Sequence, residues 1–269
     1  MGPMDNEIGI VSREQALRAW FTRDADPVLR QIDGLDIGWG GVQCWATARV
    51  PPPTEGPHLD VACGYATFLA QLGWRFPTAR LVGLNIDFDG PHAVARPLLA
   101  EAGVTAVLVR ADARQMPFAD GSFRSVSCFL GLQDIEIGFG EEGVRDTVAE
   151  AVRVLRLGGV LTLLDEFPFE QFHAVLDGLP LVVVDQGERT LDVRWSRQVA
   201  ERAIAFYVEG YVAQTRLADP VTRSQVYDET HTRMRSDMEH QLRDQGYYVP
   251  FGPVRMVVAK KVEPMQSGG

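Results

Sequence analysis

Cysteine is scarce in this chain: its 269 residues include three, Cys44, Cys63 and Cys128, set far apart and without a CxxC pair. That spacing argues against a disulfide framework and a structural zinc site, so a reducing, cytoplasmic setting is expected. A basic excess is missing too. Lys and Arg number 26 against 36 Asp and Glu, for a formal net charge of −10, so no nucleic acid partner is expected. No apolar run approaches the roughly 20 residues of a membrane helix. The opening MGPMDNEIGIV lacks a basic stretch followed by an apolar one, so neither a membrane span nor a leader peptide is expected. No His and acidic cluster has ligand spacing, and no metal is expected. Internal repeats and the GxGxxG of a nicotinamide-binding turn are absent as well. What is present is an ordinary globular composition, 46% hydrophobic and 23% charged, at a length suited to one large domain or a domain with a cap.

The chain divides by pattern. Residues 1–56 read as a leading cap: a short helix from Arg13 to Phe21, the Gly- and Trp-rich GWGGVQCWATARV, and the stiff Pro51-Pro52-Pro53 as boundary. From His58 strands and helices alternate. Strands are expected at His58–Ala62, Ala79–Asn85, Ala106–Arg110, Phe123–Leu130 and Val160–Asp165. Between them come helices at Thr67–Leu72, around Val94, Leu98 and Ala102 with Gly103 as its stop, and around Val144–Leu155, ended by Gly158-Gly159. This alternation argues for right-handed βαβ units on a parallel sheet. After Asp165 it breaks. Phe169–Leu176 reads as a helix, Leu181–Val184 and Leu191–Trp195 as a hairpin across Gly187, and about 198–217 and 222–243 as two long helices. Tyr247–Pro250 and Val254–Lys260 read as a closing pair of strands. The expected organisation is a core of 57–178 and 245–263 interrupted by an insertion at 179–244, serving as a substrate lid or a dimer element.

The chemistry is expected at the turn after the first strand, His58-Leu59-Asp60-Val61-Ala62-Cys63-Gly64-Tyr65-Ala66, where small residues open a helix and present free N–H groups. About 25 residues on, the second strand ends at Asn85 with Asp87 close behind, the place from which doubly wound folds reach ribose hydroxyls. Ala111-Asp112-Ala113 follows the third strand. In series, LDVACGYA, VGLNID, ADARQMPF and EAVRVLRLGGVLTLLDE resemble the motifs of the class I S-adenosylmethionine-dependent methyltransferases, over about residues 57–166.

That resemblance implies a Rossmann-like, doubly wound α/β fold: a seven-stranded, mostly parallel sheet with a final antiparallel strand. It implies S-adenosylmethionine as cofactor and methyl transfer to a small, partly apolar or aromatic acceptor at O, N or C. Asp60, Ala62, Cys63, Gly64 and Tyr65 would hold the methionine end, Asn85, Ile86 or Asp87 the ribose, and Asp112 and Ala113 the adenine, with Phe129 nearby. Three positions depart from the pattern: Ala62 and Ala66 stand where the family has glycine, and Asn85 where it has an acid. A cofactor-binding protein without turnover, or a same-fold enzyme that uses the sulfonium without transferring methyl, are the alternatives these departures leave open. A base for the acceptor's proton is sought among Asp134, Glu136, Asp165, Glu166 and His173, with Gln133 on the substrate side. Tyr207 and Tyr211, four apart on one helix of the insertion, are candidate lid aromatics. Trp39, Trp45, Phe167 and Phe169 are expected in the core, as are the Cys63 and Cys128 side chains. His231 is a further candidate base. A homodimer is a possible assembly.

Overall fold

Strands β1 (His58–Val61), β2 (Leu81–Asn85), β3 (Ala106–Arg110), β4 (Phe123–Phe129), β5 (Leu155–Asp165), β6 (Leu181–Arg189) and β7 (Val254–Lys261) form one sheet in the order β3-β2-β1-β4-β5-β7-β6. The computed structural model describes residues 12–20, 41–51, 56–190, 193–215 and 219–263. Strands β1 to β5 pair in parallel, and β7 is antiparallel to both β5 and β6, so β7 alone is reversed. All four residues of β1, the central strand, are buried, as a strand covered on both faces requires.

The helices form the two outer layers. On one face lie α1 (residues 12–20), α2 (Val42–Thr47), α3 (Thr67–Arg75) and α4 (Ala95–Glu101), whose Leu17, Ala46, Leu69 and Leu98 pack with Leu81, Leu164 and Met256 of the sheet. On the other lie α5 (Leu132–Val154) and α6 (Phe169–Leu176), whose Val148, Ala151 and Phe172 meet Leu59, Val61, Leu84 and Leu161. Gly140, at φ 70° and ψ −175°, breaks α5 into two segments. Gly83 on β2 is needed for the layers to close, because a Cβ there would sit 2.6 Å from Leu69 and 2.8 Å from the Cys63 sulfur.

Several expected boundaries shift. Helix α5 ends at Val154, not at Gly158-Gly159: Leu155 is already extended, and β5 runs from it through both glycines. Leu181–Arg189 is not half of a hairpin with Leu191–Trp195 but the edge strand of the main sheet, paired with β7. Positions 191 and 192 lie outside the described residues. Tyr247–Pro250 is not a strand; Tyr248 forms a single bridge with Trp195. Along β6, Val182, Val183 and Val184 are exposed.

Between β6 and β7 stand α7 (Arg197–Gln214) and α8 (Pro220–Gln245), which share a small core of Trp195, Ile204, Val208, Met238 and Tyr248. Ser196 caps the first helix by accepting from Val199 N–H, and Asp219 caps the second by accepting from Val221 and Thr222 N–H. Among the described residues, no helix is long and apolar enough to cross a membrane.

Candidate functional site

Every parallel strand from β1 to β4 delivers its carboxyl end to one rim, and a cavity of about 280 Å³ opens there. Its wall joins Ala62 and Gly64 after β1, Asn85, Ile86 and Asp87 at β2, Asp112 and Ala113 after β3, and Gly131 and Asp134 after β4. This is the crevice where open α/β sheets bind ligands. Another cavity, about 570 Å³, lies among Arg13, Trp74, Phe76, Glu101 and Val104 at the opposite end of the sheet. None of the motif residues line it.

The turn after β1 is built from strained backbone. Ala62 and Ala66 have φ 54° and 66°, and Leu130, leaving β4, has φ 55°. Side-chain-bearing residues hold such left-handed geometry at a cost of about 1–2 kcal/mol each. Gly131 makes room for the Ala62 methyl, since a Cβ at 131 would lie 2.5 Å from it. Open space faces Gly64, at φ +49°. The chain thus keeps the tight turn with alanines at both positions, and Gly131 at β4's exit leaves the space that the Ala62 methyl needs.

At β2, Asn85 is 6% exposed and donates its side-chain N–H to the Asp87 carbonyl at 2.7 Å, with His92 Nδ1 at 3.1 Å. Asp87 Oδ1 is 3.2 Å from the same His92 nitrogen. The amide nitrogen is therefore committed to the loop, and the amide oxygen is the group left to accept a hydroxyl. At β3, Arg114 grips the Asp112 carboxylate with Nη2 at 2.7 Å and its main-chain N–H at 2.9 Å. The Arg114 guanidinium also lies 3.6 Å from the centroid of Phe139, and Arg114 and Phe139 together close that end of the cavity.

Below the turn, Asp60 is buried, with Oδ1 accepting from Ser127 Oγ at 2.6 Å and Oδ2 without a partner among the described residues. Burial pushes its carboxyl up to about 7. Asp165, also fully buried and pushed up to about 7 by desolvation, accepts from the N–H groups of Leu132 (2.9 Å), Gln133 (3.2 Å) and Glu166 (2.9 Å). Oδ2 thereby fixes the start of α5, and Oδ1 is taken by the Glu166 N–H. Glu166 is half-buried beside it, and its carboxyl too is pushed up to about 7 by desolvation.

The rim gathers Ala62, Gly64, Asn85, Ile86, Asp87, Asp112, Ala113 and Asp134 of the expected set. Asp60 and Cys63 are buried beneath it, and Tyr65 lies against His92, with ring centroids 5.6 Å apart. Phe129 stacks on Phe68 at 4.6 Å and belongs to the packing. Glu136 accepts from Gln171 at 2.7 Å. His173 is exposed, with Nε2 3.3 Å from Gln186 on β6, away from the cavity wall. Gln133 is exposed at the first turn of α5. Tyr207 and Tyr211 pack into the α7–α8 core, and α7 reaches the cavity with Ala213 instead. His231 stacks on Tyr227 within α8. Trp45 and Phe167 join the two main cores, while Trp39 lies outside the described residues. His92, Arg114, Ile135, Phe139, Thr147 and Ala213 of the wall were not singled out by sequence. Among the described residues, no cluster of His, Cys, Asp and Glu suits a metal.

A family model described as "Methyltransferase domain" matches residues 59–163, the stretch from β1 to β5 that forms this rim. That stretch is a methyltransferase domain. Sequence relatives of this methyltransferase domain include a demethylmenaquinone methyltransferase of Roseiflexus castenholzii, 35% identical over 132 residues, 49% of this chain and 50% of that protein. The ubiquinone/menaquinone biosynthesis C-methyltransferase UbiE of Paracoccus denitrificans is 35% identical over 137 residues, 48% and 52% of the two chains. The matched stretch thus spans about half the length of these relatives. In fold, the chain resembles the [4+2]-cyclase SpnF, with TM-score 0.53 and 16% identity over 82% of this chain and 80% of that one. It also resembles a geranyl diphosphate methyltransferase solved with GPP and sinefungin, with TM-score 0.52 and 15% identity over 88% and 84%.

The family's cofactor fits the residues present. The open space over Gly64, the oxygens of Asn85 and Asp87, and the unpartnered oxygen of Asp60 suit a ligand with hydroxyls and positive charge.

Proposed function

We propose that this protein transfers a methyl group from S-adenosylmethionine to a small, partly apolar acceptor. The observation that carries the proposal is the single cavity joining the Ala62–Gly64 turn, Asn85 and Asp112 at the carboxyl rim. When bound, the cofactor supplies an electrophilic methyl on a cationic sulfur, so the protein's work is positioning and proton removal. Ala62 and Gly64 would seat the methionine end, Asn85 would accept a ribose hydroxyl, and Asp112, with Arg114 holding it in place, would face the adenine.

Asp134, in the cavity wall, and Glu166, beside Asp165, are the bases this reading favours. Asp165 has both oxygens committed to main-chain N–H groups, Glu136 is held by Gln171, and His173 points to β6. Glu166 has a carboxyl raised to about 7 by burial, so it is ionised just above neutrality and basic enough to accept a proton from an acceptor hydroxyl. The names of both sequence relatives support a quinone-like acceptor, and that of the second supports methylation at carbon. The exposed edge of β6 supports association of two copies, which the mass in solution would test.

Incubation with methyl-labelled S-adenosylmethionine and a panel of hydroxylated aromatics tests the proposal. Label in an acceptor supports it; tight binding with no label in any acceptor supports a binding protein instead.

A further inference from the structure

Beneath the rim, Asp60 ends a buried polar chain whose other members, His58, Ser125 and Ser127, the methyl-transfer reading does not use. On one face of the sheet the register sets His58 opposite Ser125 and Asp60 opposite Ser127. His58 is fully buried, with Nδ1 2.8 Å from Ser125 Oγ and Nε2 2.9 Å from Ser127 Oγ. Ser127 Oγ in turn lies 2.6 Å from Asp60 Oδ1. Both ring nitrogens are thus engaged in a region without water-exposed atoms, where burial keeps the imidazole neutral, its pKa lowered to about 3.

A neutral ring has one N–H, so the direction of the whole chain is set by its end. With Asp60 ionised, Ser127 donates to Oδ1 and must accept from the ring. The ring proton is then on Nε2, and Nδ1 accepts from Ser125. With Asp60 protonated, the proton sits on Oδ1, since on Oδ2 it would have no acceptor among the described residues. Oδ1–H then donates to Ser127, Ser127 donates to Nε2, and the ring proton moves to Nδ1, donating to Ser125. One proton is gained in total, and it resides on Asp60.

We propose that His58 is a positioning residue whose ring tautomer inverts, through Ser127, with the protonation of Asp60, the step that sets whether the floor under the Ala62–Gly64 turn is negative or neutral. The proposal rests on the cofactor reading above for its purpose: a negative floor favours a ligand carrying an ammonium group. Few other charges compete. Neighbouring Cys63 and Cys128 are thiols pushed up by burial, and Asp165 stands beyond Cys128. β2 opposes Asp60 with Gly83, and β5 opposes Ser127 with Thr162. Over this face, α3 has no acidic residue and no basic one before Arg75, α2 brings only the Cys44 thiol, α1 brings Arg13 and Glu14, which is held by Gln71 with Arg18 close by, and Arg96 and Glu101 of α4 are exposed.

Nitrogen NMR of the full chain labelled with ¹⁵N-histidine tests this, with the His58 signals among the five histidines assigned by their loss in His58→Asn. The expected result is a neutral ring protonated at Nε2 at about pH 8.5 and at Nδ1 at about pH 5.5, crossing near neutrality. The same nitrogen protonated throughout, or a doubly protonated ring in this range, overturns the proposal. In Ser127→Ala the inversion should vanish, and its persistence would overturn the route through Ser127. Saturating S-adenosylhomocysteine at the lower pH should return the proton to Nε2; a bound ligand that leaves the tautomer unchanged removes the positioning role. If the nucleoside binds at no pH, the cofactor reading fails and the positioning role with it, while the ligand-free spectra still decide the inversion.

Discussion

Glu166 titrates near neutrality because it is desolvated, and that gives its role a pH signature. A base is active when ionised, so turnover should rise about tenfold per pH unit below about 7 and level off above it. Glu166→Gln should lower kcat by about 10²- to 10⁴-fold with little change in the KM for the methyl donor, and the acid limb should disappear from the pH profile. At the β1 turn, Ala66→Gly relieves the left-handed strain of a residue at φ 66°. The gain, partly offset by the freer unfolded chain, should be about 0.5–1 kcal/mol, read from urea unfolding.

The strand-end residues were legible because the spacing of Asp60, Asn85 and Asp112 follows directly from the βα periodicity. Individual roles were not. Nothing local marks Asp165 as a cap for α5 while its neighbour Glu166 stays available, because the Leu132 and Gln133 N–H groups arrive from 33 and 32 residues away. The walls formed by Arg114 on Phe139, and by Ala213 from α7, likewise exist only once separate elements meet.

At the scale of elements, β2 and α3 fit only because Gly83 lacks a side chain. Gly83→Ala would force a methyl inside 3.0 Å of Leu69, Cys63 and Leu108 and should cost about 1–3 kcal/mol by overpacking. The junction of α5 and β5 gives a pH-dependent prediction. Asp165 protonates near 7 when folded and near 3.9 when unfolded. Its contribution is full at low pH and lost as pH rises through 7. Asp165→Asn keeps an oxygen for the Leu132 and Gln133 N–H groups and should flatten the fall in stability between about pH 4 and 7 by roughly a kcal/mol per pH unit. Asp60 and Glu166, also raised to about 7, add to the fall, while His58, lowered to about 3, works in the opposite sense and gains stability as pH rises to 6.5, so the wild-type curve is a partial cancellation. Elements hidden from the sequence have simple causes. β6 shows no alternation because Val182 to Val184 are all exposed on the sheet edge, and the end of α5 is obscured because Leu155 to Leu157 continue an apolar pattern into Gly158.

For the whole molecule, the sheet order and the position of the cavity carry the functional account. Four parallel strands, β1 to β4, bring four loops, distant in sequence, to one rim, and α7 adds a wall from outside the matched domain. The measurement that tests this most directly is calorimetric titration of the folded chain with S-adenosylhomocysteine, alongside Asn85→Ala. One nucleoside per chain, bound at least about tenfold more weakly in the variant through loss of a buried hydrogen bond, is the predicted result. A well-folded protein that takes up no nucleoside, or an Asn85→Ala variant that binds it equally well, would contradict the account.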